Sequence, residues 1–349
     1  MSKYVAYVSS YTQSNQFGIS IFDVDLKAGR LIEKDHVKVS NSSYLTKSHN
    51  RKYLYSITDF GVNSYAVGKD GSLTQINQAS INGMRGCYLS TSYDDKFLFV
   101  AGYHDGKITV LRLEDNGAVG EITEEIYLQG MGTISERNYR PHVTCVKMTR
   151  DDVYLLAADQ GMDHVNVYTL NHETGKLKLA DIIRSDQESA PRHIKMSKDG
   201  KRIYIVQEME CEVDVYSYEN LGIGNPSFEK LQAISTKNNY HTSSTAACNL
   251  NVSEDFKYLV SSNAGDNSAV IFKVVEDGKL EKVLCLPISG EYPKDVALFP
   301  DNKHLVSCNH ESNTLTFFNV NFDEHTIIMN GPEIKVTKPN CIIFHKLEK

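Results

Sequence analysis

Two short segments about fifty residues apart join proline to groups that can move protons or hold anions: Arg140-Pro141-His142 and Ala190-Pro191-Arg192-His193. The second runs on to Tyr204-Ile205-Val206-Gln207-Glu208, and Tyr292-Pro293-Lys294-Asp295 repeats the order of proline then basic residue. Proline fixes the backbone just before each charged or titratable side chain and so gives that side chain a defined direction. A histidine, an arginine and a carboxylate converging on one cleft suit acid–base chemistry on a carbonyl compound. His142 or Glu208 would then act as general base and Arg192 would stabilise an oxyanion. Arg140, His193, Lys294 and Arg85 are the candidate substrate contacts. A structural reading stands beside this one. His142 would bond to a neighbouring loop, Arg192 and Glu208 would form an inter-strand ion pair, and Lys294-Asp295 would be solvated. His193, directly after Arg192, would point to the other face of its strand and pack there.

Positioning these groups requires a frame, and the chain carries a repeated one. Lys52-Tyr53-Leu54-Tyr55, Lys96-Phe97-Leu98-Phe99, Asp152-Val153-Tyr154-Leu155, Arg202-Ile203-Tyr204-Ile205, Lys257-Tyr258-Leu259-Val260 and Lys303-His304-Leu305-Val306 share a turn, a charged residue and a short apolar run. A spacing of about fifty residues divides the 349-residue chain into about seven copies, with Tyr4-Val5-Ala6-Tyr7-Val8 as the seventh. An alternating strand follows each run, as in Asp163–Tyr168 and Cys211–Tyr216, and hairpin signals such as Asp70-Gly71, Asn116-Gly117 and Asp277-Gly278 close several of them. Another short strand, such as His193–Met196, precedes each run. Four short strands per unit without helical periodicity predict an all-β chain over residues 1–349: a single seven-bladed β-propeller with four-stranded antiparallel blades. Cys341–Phe344 resembles an inner strand with no copy after it, and the first run has no inner strand before it. The two chain ends are therefore expected to pair and close the ring, and the tail His345–Lys349 to fray. Inner-strand starts and second-strand ends then face the channel mouth, where Arg192 and Glu208 fall.

Composition narrows the function. Lys and Arg number 37 against 44 Asp and Glu, a net charge of −7, which argues against a nucleic-acid partner. No run of 18 apolar residues is present, so no membrane span is expected. The start, Met1-Ser2-Lys3-Tyr4, leads straight into a strand and points to the cytoplasm. Seven dispersed cysteines without a Cys-x-x-Cys pair suggest neither a zinc site nor a disulfide framework, and the absence of tryptophan excludes Trp-Asp repeats. There is no phosphate loop and no His-Glu-x-x-His. Asp59, Asp105, Asp163 and Asp266 recur after the repeated runs and are expected to cap turns rather than bind metal. His241-Thr242-Ser243-Ser244-Thr245 lacks the Gly-x-Ser-x-Gly elbow of a serine nucleophile and is taken as a polar loop.

Over essentially its whole length the chain resembles the propeller lactonase family, which includes cycloisomerase-type 6-phosphogluconolactonases and carboxymuconate cyclases. The resemblance shows in Tyr11-Thr12, Ser43-Tyr44-Leu45 and Cys87–Tyr103. It is most specific in Ala190-Pro191-Arg192-His193 … Gln207-Glu208 and in Arg137-Asn138 … Pro141-His142. It implies a working histidine, arginine and glutamate at His142, Arg192 and Glu208. It also implies residues that this chain lacks: a later arginine reads Ala264, a glutamate reads Cys248, a second histidine reads Thr144, and a Pro-Arg reads Pro293-Lys294. The expected activity is hydrolysis of a sugar lactone, nominally 6-phospho-D-glucono-1,5-lactone, by a water activated in the channel mouth. No metal or organic cofactor is expected, and the chain should be a monomer or weak homodimer. The alternatives are a muconate-type lactonising isomerase and a non-catalytic propeller that binds a sugar acid or a protein.

Overall fold

The computed structural model describes residues 3–12, 17–132, 139–238 and 245–348. Over these residues the regular elements are strands, sorted into seven antiparallel sheets that stand as the blades of a propeller. The blade built from Val143–Met148, Tyr154–Asp159, His164–Leu170 and Leu177–Arg184 shows why such runs form it. Tyr154–Asp159 is buried at every residue, sandwiched between neighbouring blades, and so reads as a continuous apolar run. Leu177–Arg184 is the outer edge, half of it exposed, and its charges Lys178, Asp181 and Arg184 discourage edge-to-edge pairing. The last blade adds a fifth strand of two residues, Ile334–Lys335, against Thr314 and Leu315.

The turn from inner to second strand is made the same way in five blades. A hydroxyl at Ser48, Ser92, Thr149, Ser197 or Ser253 accepts the backbone N–H of Tyr53, Phe97, Tyr154, Arg202 or Tyr258, each at 3.0 Å. The charged turn that recurs in the sequence is therefore a hydrogen-bonded motif in which hydroxyl side chains satisfy the backbone as the chain reverses.

Apolar burial lies between blades rather than at a single centre. Val206, Val213 and Val215 of one blade pack on Leu250, Leu259 and Phe272 of the next. The interface that closes the ring sets Ala6, Val8 and Phe22 against Phe299, Val306 and Phe317. Tyr4–Ser10 pairs on one side with Phe17–Asp25 and on the other with Pro339–Lys346, in the register Ala6↔Phe344 and Val8↔Ile342. The ends of the chain thus share one sheet, as the repeat count requires.

The expected fraying of the tail is corrected here. His345 and Lys346 extend the closing strand opposite Val5 and Tyr4, and His345 is buried against Tyr7. Burial first, then Lys47 and Arg51, push the His345 imidazole down to about 4 from an ordinary 6.5. His310 is likewise buried and lowered to about 4, by burial and then by Lys294 and Lys338. Below pH 6.5 the unfolded chain binds protons at these rings and the folded chain does not. Their contribution is therefore complete above 6.5 and is lost as pH falls toward 4, about 2 kcal/mol for each at pH 5. Asp295 acts oppositely, since burial raises its carboxyl to about 7. The His310→Gln/His345→Gln variant is expected to lose less stability between pH 7 and pH 5 than the parent in denaturant titrations. Equal losses would refute the assignment.

Candidate active site

Each inner strand opens at one mouth of the channel and places one residue, at the same offset, on its wall: Ser43, Cys87, Thr144, Arg192, Cys248, Lys294 and Asn340. The residue just beyond each second strand supplies another ring, of which Tyr11, Tyr103, Gln160 and Glu208 reach the same space. Together they line a cavity of about 240 Å³.

Arg192 and Glu208 face each other across neighbouring strands of one blade. Arg192 Nη1 donates to Glu208 Oε2 at 2.6 Å, and Gln160 Nε2 of the preceding blade donates to the same oxygen at 3.0 Å. Glu208 is 6% exposed, so its pairing is charge-assisted and partly desolvated. Burial opposes the Arg192 charge, but Glu208 outweighs it and holds the guanidinium firmly protonated. The ion pair of the structural reading is present, and of the functional one the arginine and the carboxylate stand together on the cavity wall.

His193 departs from the structural reading. It lines the cavity as well, its ring edge-on to Tyr44 and Tyr88 at 6.0 and 5.2 Å. A regular strand would send Arg192 and His193 to opposite faces. A break in register between Pro191 and His193 lets consecutive residues face the channel. The same irregularity recurs between Val143 and Cys145 and between Pro293 and Asp295, so it belongs to the blade plan. Burial, then Arg192 and Lys195, keep His193 neutral.

Lys294 and Arg85 also line the cavity and lie over the ring of Tyr11, at 5.4 and 4.7 Å from its centroid. Arg85 is paired with Asp59 at 3.0 Å. Lys294 is pulled below the ordinary lysine range by burial and then by Arg192, the mark of an ammonium beside another cation.

His142 and Arg140 are not brought to the cavity wall. His142 is buried, stacks on Tyr103 at 4.3 Å and bonds the Tyr103 carbonyl through Nδ1 at 2.8 Å, while its backbone N–H donates to Asp159. A carbonyl only accepts, so Nδ1 carries the ring proton. Burial leads in lowering His142, which favours the neutral ring. Gly161 permits this packing, because a Cβ there would collide with the carbonyl oxygen of Arg140. His142 thus props Tyr103, which does line the cavity. Arg140 is exposed, its guanidinium over the ring of Tyr139. Arg137 and Asn138 lie outside the described residues, as do residues 241–244 of the polar loop.

Gln160 has no motif to mark it, and Tyr11 and Tyr103 stand only within segments that carry the family resemblance. Their signal was repeat position, since each follows a second strand as Glu208 does. Cys248 and Cys87 are wall residues whose thiols burial pushes up, Cys87 to about 12, so neither offers a thiolate. All seven cysteines are free. Of the recurring aspartates, Asp163 accepts the backbone N–H groups of Glu188 and Ala190, which is a turn-capping role. Among the described residues one group is close enough to share a metal ion, Asp94, Asp152 and His172, and none of its members lines this cavity.

A seven-bladed propeller with a charged cavity at one mouth is the architecture of a known class. A profile of the seven-bladed β-propeller lactonases matches residues 5–344, and the chain belongs to that family. It is 28% identical to a 6-phosphogluconolactonase of Bacillus subtilis strain 168, with 99% of each chain covered. It is also 28% identical to a 6-phosphogluconolactonase of Formosa agariphila, over 89% of this chain and 91% of that one. The structure of a periplasmic gluconolactonase of Pseudomonas aeruginosa superposes with a TM-score of 0.91 at 26% identity, covering 99% of this chain and 100% of that one.

Proposed function

We propose that the chain hydrolyses an anionic sugar lactone, with 6-phospho-D-glucono-1,5-lactone as the nominal substrate, in the cavity around Arg192 and Glu208. The observation that carries this reading is the convergence of three cations, Arg85, Arg192 and Lys294, with one buried carboxylate on a single small cavity. Glu208 takes a proton from water as that water attacks the lactone carbonyl. Arg192 stabilises the oxyanion that forms; as the intermediate collapses the ring C–O bond breaks, the proton held by Glu208 passes to the leaving ring oxygen, and the hydroxy acid so formed releases its carboxyl proton to solvent. What supports Glu208 over His142 as base is that Glu208 lines the cavity while His142 supports Tyr103 from behind. Lys294, a compact charge already held beside Arg192, binds the substrate's anionic group. Seven free cysteines suit a reducing, cytoplasmic address.

The test is proton release from freshly prepared 6-phosphogluconolactone and from unphosphorylated gluconolactone, each corrected for spontaneous hydrolysis. A rate above background is expected, with the phosphorylated lactone preferred. Lys294→Gln should raise KM for the phosphorylated lactone about tenfold, the loss of one charge-assisted contact, and leave the neutral lactone nearly unaffected. Binding of 6-phosphogluconate without any rate above background would favour the non-catalytic reading, for which Cys248 and Ala264 speak. Neither side chain contributes a charge where the family resemblance implies a glutamate and an arginine.

A further inference from the structure

The inner strands that open at the Arg192 mouth end at the opposite one, and there a second, larger cavity of about 480 Å³ forms. Every inner strand contributes to its wall, with Lys147 and Lys195 on adjacent blades. Tyr44 and Tyr88, tilted against each other at 4.3 Å with His193 edge-on to both, stand between the two cavities, and Tyr44 lines both.

The charges here run against the rest of the molecule. The protein carries a net −7, yet Lys47, Arg51, Lys147, Lys195 and Lys346 line this cavity with Glu254 as its one acidic lining residue. Among the described residues neither Lys147 nor Lys195 forms an ion pair. Lys47 donates to a backbone carbonyl, that of Phe344, at 2.9 Å. Glu254 accepts from the Tyr4 hydroxyl at 3.3 Å. Asp152 and Asp295 act on Lys147 and Lys195 only from beyond ion-pair distance, and half-buried ammonium groups without a paired carboxylate repel one another and gain little from water. Burial first, then Lys195, hold Lys147 down to about 8. Five cations converging on one recess have the character of an anion site, since a ligand bearing two or more negative charges removes both penalties at once.

We propose that this mouth of the channel binds a small phosphorylated anion, held between Lys147 and Lys195 with Lys47, Arg51 and Lys346 around it. The recess within the channel selects a small molecule over a polymer, and the unshared lysines select a phosphate group over a single carboxylate. This site is distinct from the Arg192 cavity and does not depend on the reaction assigned there.

Calorimetric titration with pyrophosphate and with inorganic phosphate, at constant ionic strength, tests the site. Arg85→Gln/Arg192→Gln/Lys294→Gln removes the three cations of the other mouth. In that background pyrophosphate should still bind, more tightly than inorganic phosphate, and Lys147→Gln/Lys195→Gln should weaken it about tenfold or more. The second set of substitutions should also raise the Tm of the free protein, because it relieves repulsion that only a ligand would otherwise relieve. Failure of pyrophosphate to bind, or binding that survives Lys147→Gln/Lys195→Gln, overturns the proposal. Lost binding with a lowered Tm also overturns it, since the lysines would then be holding the fold.

Discussion

Glu208→Gln is expected to cut kcat for 6-phosphogluconolactone by about 10²- to 10⁴-fold, the usual span for loss of a positioned general base. The amide nearly matches the carboxylate in shape, and its oxygen can still accept from Arg192 and Gln160, which now meet at Oε2. The wall therefore keeps its form while losing its proton acceptor. Removing a negative charge beside Arg192 and Lys294 should leave KM for the anionic lactone unchanged or lower it. The combination of a collapsed kcat and a preserved KM separates a base from a merely structural carboxylate, whose loss would disturb both. A kcat equal to that of the parent would take Glu208 out of the chemistry and return attention to His142.

Arg192→Ala is expected to act on rate and stability together. As the group facing the developing oxyanion, it should be worth about 10²- to 10³-fold in turnover. Its removal also withdraws the cation bonded at 2.6 Å to a carboxylate that is 6% exposed. Breaking a buried pair from one side costs about 3 kcal/mol, read as a lower denaturation midpoint. Arg192→Lys divides the two effects. It returns a positive charge near Glu208 and so recovers much of the stability. A point charge does not reproduce the planar fork, so turnover should stay depressed. Full recovery of turnover by lysine would show that charge alone suffices at this position.

The repeat made most of the frame legible. Tyr53–Tyr55 and its later counterparts became second strands because they are buried on both faces, and a continuous apolar run is what such burial demands. Arg192 and Glu208 were readable as wall residues because every blade uses the same offsets. The same offsets point to Gln160, Tyr103 and Tyr11, each the residue just beyond its second strand. In the sequence His142 follows proline as Arg192 does and matches the working histidine that the family resemblance implies. Nothing local to residue 142 indicates that the Tyr103 carbonyl, from the neighbouring blade, accepts a hydrogen bond from its Nδ1–H, or that the Tyr103 ring covers it.

By itself the sequence determined the number of blades, the joining of the chain ends in one sheet and the ring positions of Arg192, Glu208 and Lys294. All of these follow from alternation and spacing, which are properties of the covalent chain. The tertiary structure alone decided that His193 turns into the channel beside Arg192, that His142 stands behind Tyr103, that Gln160 grips Glu208, and that lysines gather at the far mouth. Each of these depends on register breaks or on contacts between blades. Such contacts are set by how distant segments pack, and no local pattern carries that information.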